Sequence, residues 1–130
     1  MLTRRSTLIV VAAASIVALN PALAMSPQPF NAQAFADAQR ARRPILVAIH
    51  ASWCPTCKAQ TPILGELTAD PKFKELAYFV IDFDDQKDLV QRFSARMQST
   101  LIAFKGATET GRSVGDRDRS SIAALLDKTL

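Results

Sequence analysis

The sequence predicts an α/β domain: a central mixed β-sheet of about four strands flanked by helices. Three observations predict it. Ile45-Leu46-Val47-Ala48-Ile49 is a continuous apolar run rich in branched residues, the pattern of a strand buried on both faces, and Tyr78 to Phe83, interrupted only by Asp82, reads as a second buried strand. Stretches with helical spacing of apolar residues alternate with these runs, which argues for a layered arrangement. Gly106 separates Thr100–Phe104 from Glu109–Val114, so the last two strands form an antiparallel hairpin at one edge.

Taken in order, Met25 to Phe30 contains two prolines and reads as an irregular lead-in. Asn31 is a good cap for a helix reaching about Arg42, with Ala34, Phe35, Ala38 and Ala41 on one face. Pro44 stops that helix, and the first strand follows. A second helix runs from Cys54 to about Thr68, with Pro62 inside it as a source of a kink. Asp70 to Leu76 is a short connection before the second strand. Gln86 to about Arg96 is an amphipathic helix turning Leu89, Val90 and Phe93 inward. After the hairpin, Asp118 or Ser120 caps a final helix carrying Ile122, Leu125 and Leu126. The order is α-β-α-β-α-β-β-α.

Residues 1–24 read as an address and not as part of this domain. Arg4 and Arg5 precede an apolar run, Leu8 to Leu19, and Ala22-Leu23-Ala24 supplies small residues where a signal peptidase cleaves. That run is much shorter than the roughly 20 residues a spanning helix requires. Arg4-Arg5 also fits a twin-arginine signal, so either that route or the general secretory route delivers residues 25–130 to the periplasm. The mature chain is then a single domain with no stable membrane insertion. Of 16 basic residues, 14 follow the leader, against 12 acidic ones. A net +2 on the mature chain argues against nucleic acid or an anionic membrane as a partner.

Only two cysteines are present, Cys54 and Cys57, spaced C-x-x-C. At a helix N-terminus this spacing has a chemical use. Free backbone N–H groups and the helix dipole stabilise a thiolate on the first sulfur, while the second sulfur lies one turn behind. Cys54 is then suited to attack a disulfide and Cys57 to resolve the mixed disulfide. Pro55 suits the first helical position, where its missing N–H costs nothing. A structural bridge across so small a ring restrains little of the unfolded chain. A metal-binding or metal-delivery module using Cys54, Cys57 and His50 stays open, although a zinc site ordinarily takes four ligands. His50 is the only histidine, four residues before Cys54. It reads first as a strand-end residue, with a proton shuttle or metal ligand as the other roles. Asp82, Asp84, Asp85 and Asp88 read as capping and solvated residues between a strand and a helix.

The stretches Arg43-Pro44-Ile45-Leu46-Val47, Ala51-Ser52-Trp53-Cys54-Pro55-Thr56-Cys57-Lys58 and Pro62-Ile63-Leu64 resemble the thioredoxin family. Phe79 to Asp84, Ser99 to Lys105 and Val114-Gly115 extend the likeness over roughly residues 30–130. The resemblance implies a thioredoxin-like fold and a thiol–disulfide oxidoreductase with Cys54 as nucleophile and Cys57 as resolving thiol. It implies a substrate groove formed by Trp53, Pro55, Thr56, Ser99 and Thr100, with Trp53 lining the thiols. The partners it implies are protein disulfides and dithiols and, for a reductant in an oxidising compartment, a membrane electron carrier. No cofactor is required, and nothing demands more than a monomer. The same resemblance allows a disulfide-introducing oxidase, but the Trp-Cys-x-x-Cys-Lys context leans towards reduction.

Three positions depart from the family pattern. Ser99 occupies the slot of a cis-proline, so the Gln98–Ser99 bond is expected to be trans or strained. Its hydroxyl is a candidate donor to the Cys54 sulfur. Ala48 and Val80 occupy the slots of a buried Asp and its Lys partner. Losing both avoids an unpaired buried charge, but it also removes the proton acceptor for Cys57.

Overall fold

The computed structural model describes residues 26–130; the leader expected over residues 1–24 lies outside them. The described chain runs β1 (Gln28–Pro29), α1 (Ala32–Arg40), β2 (Pro44–His50), α2 (Pro55–Thr68), a 3-10 turn (Pro71–Phe73), β3 (Ala77–Asp82), α3 (Lys87–Arg92), β4 (Thr100–Lys105), β5 (Thr108–Val114) and α4 (Arg119–Asp127). The five strands form one mixed sheet in the order β1-β3-β2-β4-β5. β1 and β2 lie parallel to β3, and β4 runs antiparallel to both β2 and β5.

The fifth strand comes from the lead-in expected to be irregular. Gln28 and Pro29 align with Phe79 and Val80, and Phe30 N–H donates to the Val80 carbonyl at 2.9 Å. Prolines that defeat a central strand are tolerated at a sheet edge, where a missing donor faces outward. The amphipathic helix expected to reach Arg96 stops at Arg92, because Ser94 takes a left-handed backbone (φ +53°) that a helix cannot continue through. Helix α2 passes through Pro62 unbroken.

Capping follows the sequence. The Asn31 side chain accepts from Ala34 N–H at 2.8 Å, and Asp118 accepts from Ser121 N–H at 2.8 Å. Gly106 turns the hairpin at φ +58°. Gly111 lies where β5 passes under α4; a Cβ there would meet the Leu125 side chain at 3.0 Å.

Strand alternation divides the core between two faces. Ile45, Val47, Ile49, Phe79, Ile81 and Ile102 point towards α1 and α3. Leu46, Ala48, Tyr78, Leu101 and Ala103 point the other way, against Leu64 of α2 and Ile122, Leu125 and Leu126 of α4. Central β2 is buried from Ile45 to Ile49, as a two-faced strand must be. Its C-terminal end delivers the chain to the start of α2.

Candidate active site

Ala51, Ser52 and Trp53 form the turn from β2 to α2, and Cys54 N–H donates to the Ala51 carbonyl at 3.1 Å. Cys54 has extended backbone (φ −80°, ψ 114°) and is the N-cap of α2, with Pro55 as the first helical residue. Its sulfur acts as the cap acceptor: Cys57 N–H donates to Cys54 Sγ at 3.1 Å. The helix therefore points one of its unpaired N–H groups at the Cys54 sulfur, a placement that favours negative charge there. Both thiols are free and buried, Cys54 at 1% and Cys57 at 2% exposure. They pack against Ala51 and the half-buried Phe83.

The two sulfurs are not equivalent. Burial and the hydrogen bond with Cys54 push the Cys57 thiol from an ordinary 9.0 up to about 11, against smaller lowering by the Ala51 and Ser99 backbone amides. Cys57 thus holds its proton at neutral pH and must lose it before it can attack.

Trp53, the residue before Cys54, is exposed, with 54% of its surface open to solvent. Its indole N–H donates to Asp84 Oδ2 at 2.7 Å, which ties the active-site turn to the loop after β3. Asp84 was expected only to cap and solvate. The capping is done by its neighbour Asp82, whose Oδ1 accepts from Asp84 and Asp85 N–H at 2.9 and 2.8 Å. Pro55 and Thr56 lie on the first turn of α2, Pro55 exposed and Thr56 half-buried.

Ser99 and Thr100 stand at the start of β4, 5% and 1% exposed. The Gln98–Ser99 bond is trans, and Ser99 adopts φ +61°. Its hydroxyl donates to the Gln98 carbonyl at 2.5 Å instead of to Cys54. Its N–H donates to Ile49 at 2.7 Å, and its carbonyl accepts from Gly115 N–H at 3.1 Å and from Gln60 Nε2 at 3.2 Å. Thr100 Oγ1 donates to the Met97 carbonyl at 2.8 Å. Both side chains therefore face inward, and neither hydroxyl is offered to the surface. Gln60 also donates to the Asp116 carbonyl at 2.8 Å, joining α2 to the segments on either side of the hairpin. A glutamine one turn after Cys57 on the buried face of α2 is the pattern that would have revealed this role.

Behind Cys57 lies a cavity of about 200 Å³, lined by Ala48, His50, Cys57, Thr61, Tyr78 and Val80 among others. Ala48 and Val80 are direct partners across β2 and β3. Two small apolar side chains in facing register leave the space open. Among the described residues, no three His, Cys, Asp or Glu side chains stand together as a metal site would require. No helix among them is long and apolar enough to cross a membrane.

A family model described as Thioredoxin matches residues 26–128. The thioredoxin of Pseudomonas aeruginosa is 32% identical over 94 residues, covering 72% of this chain and 86% of that protein. The thioredoxin of Chlamydia muridarum is 38% identical over 87 residues, covering 65% of this chain and 80% of its own length. Among solved structures, Trxlp from Edwardsiella tarda superposes with a TM-score of 0.75 at 39% identity, covering 78% of this chain and 98% of that one.

Proposed function

From the premise that this chain belongs to the thioredoxin family, we propose that it reduces protein disulfides outside the cytoplasm, with Cys54 as nucleophile and Cys57 as resolving thiol. The observation that supports this most is Cys54 Sγ at the N-cap of α2, accepting the Cys57 N–H at 3.1 Å. A thiolate there attacks one sulfur of a partner disulfide. The Cys54–partner bond forms, the partner's S–S bond breaks, and the partner's other sulfur leaves as a thiolate. Cys57 then loses its proton and attacks the Cys54 sulfur. The Cys54–Cys57 bond forms, the mixed disulfide breaks, and the partner departs as a dithiol. Two electrons pass from this chain to the partner, so no cofactor is needed.

Trp53 and the first turn of α2, Pro55 and Thr56, give the partner a surface beside the buried sulfur. Ser99 and Thr100 act as the floor of that groove, holding the β4 start in place. The reducing direction is supported by the Trp53-Cys54-Pro55-Thr56-Cys57-Lys58 segment and by the thioredoxins to which the chain is similar. The layout of residues 1–24 supports delivery to the periplasm, where a membrane electron carrier re-reduces the monomeric protein.

The test is reduction of insulin disulfides with dithiothreitol as electron source. The mature protein should accelerate precipitation of the insulin B chain, and Cys54→Ser should abolish the acceleration. Equal rates with and without wild-type protein would refute the reading. Export is tested by fractionation: the full chain should yield a shortened periplasmic product, and full-length protein confined to the cytoplasm would contradict it.

A further inference from the structure

The resolving step raises a problem that the cavity behind Cys57 addresses. The Cys57 proton must leave, and no carboxylate lines the space behind the sulfur. The lining does contain an imidazole. His50 closes β2 on the same face as Ala48, two residues earlier, and that face looks onto α2. His50 and Cys57 share the one cavity without touching a common metal-like cluster. His50 is half-buried, so it meets both the cavity and solvent. A space of about 200 Å³ with Thr61, Gln60 and Tyr78 on its walls has room and polar partners for water.

Resting on the oxidoreductase reading above, we propose that His50 is the proton acceptor for Cys57, reached through this cavity. In the resolving step the Cys57 S–H bond breaks and its proton passes along the cavity to the neutral imidazole. The freed Cys57 thiolate attacks Cys54 Sγ, the Cys54–Cys57 bond forms and the partner's sulfur leaves. The imidazolium then returns its proton to solvent or to the departing thiolate. His50 and Cys57 are joined by the cavity they both line, and the proton crosses that space to reach the imidazole.

The groups around His50 leave it the field. Tyr78 on β3 is buried and its hydroxyl is pushed up to about 12, so it stays neutral. Asp82 is the register partner of His50 on β3, but its Oδ1 accepts the Asp84 and Asp85 amides and its side chain does not line the cavity. From α2 come Cys57 itself and the uncharged Gln60 and Thr61.

The experiment uses an aromatic disulfide, dithiobis(nitrobenzoate), whose released thiolate is coloured. Attack by Cys54 releases one equivalent and resolution by Cys57 releases the second, so the two steps appear as separate phases. Rates are followed from about pH 5 to about pH 9, spanning the range in which histidine side chains change charge. In His50→Gln the first phase should match wild type, and the second should slow by about 10² near neutral pH, the usual contribution of a positioned base. The wild-type inflection in the second phase should disappear, and free imidazole should restore the rate in His50→Ala. A second phase that keeps the wild-type pH profile in His50→Gln, slower or not, overturns the His50 assignment alone. Wild-type protein that never releases a second equivalent overturns the oxidoreductase reading itself.

Discussion

The two faces of the sheet are built to opposite specifications. On the face covered by α1 and α3, Phe30, Phe35, Phe79, Phe93 and Phe104 interlock, with ring centroids 5.3–6.1 Å apart and mostly edge-to-face. Such pairs add roughly 0.5–1.5 kcal/mol each beyond the area they bury. On the face covered by α2 and α4, Ala48 and Val80 are small side chains in facing register, and a cavity is left beside Cys57. Close packing is the rule in protein interiors, so an open volume beside a reactive thiol is where stability gives way to chemistry. The lesson is one of contrast: one face is closed by interlocking rings, while the other, although it has its own core, leaves space beside a thiol.

Four changes would break or sharpen that contrast. The largest effect is expected on the thiol face from Cys57→Ser. Cys54 should still attack, but resolution should fail, so a partner disulfide stays covalently attached and turnover stops. Mass spectrometry of the reaction mixture would show the adduct; sustained insulin reduction by this variant would contradict the assigned roles. On the phenylalanine face, Phe35→Ala removes a ring that contacts Phe30, Phe79, Phe93 and Phe104. It should cost about 3–5 kcal/mol of stability in urea unfolding, while the redox potential stays near wild type. A potential shift comparable to that of an active-site variant would dissolve the contrast between the faces.

The third change concerns pH. Cys57 titrates higher in the folded protein than in the unfolded chain. Between the two values the unfolded chain has released a proton that the folded protein keeps. This contribution to stability is whole below about pH 9 and is lost as pH rises through about 11. The melting temperature of the reduced protein should therefore fall over that interval more steeply than that of the oxidised protein, which has no such thiol. Parallel curves would contradict it. The smallest effect is expected from Asp84→Ala, which frees the Trp53 indole from a single exposed hydrogen bond. Stability should change by less than about 1 kcal/mol, whereas Trp53 fluorescence should shift as the ring loses its anchor.

The sequence exposed most of the first face and only part of the second. Strands β2 to β5 and three of the helices follow from apolar periodicity and from Asn31, Pro44, Gly106 and Asp118, each of which acts within a few residues of itself. Strand β1 escaped because two residues, one of them Pro29 and the other preceded by Pro27, carry no periodicity; only the partner strand, about fifty residues on, makes them a strand. At the site, the C-x-x-C spacing and Pro55 located the helix start directly. The Trp53–Asp84 tie, the links made by Gln60 and the inward turn of Ser99 and Thr100 were hidden, since each depends on a contact across 31 or more residues or on a backbone angle. The cavity was hinted at by small residues at 48 and 80, but its presence required knowing that they face each other.

The most direct test of the central claim is the redox potential of the Cys54–Cys57 pair, measured on mature protein equilibrated in glutathione buffers of graded ratio. A reversible two-electron couple near the thioredoxin value of about −270 mV is the expected result. A couple near −120 mV, the value of a strong disulfide donor, would contradict the reducing direction, and failure to form the Cys54–Cys57 bond at any ratio would contradict the account altogether.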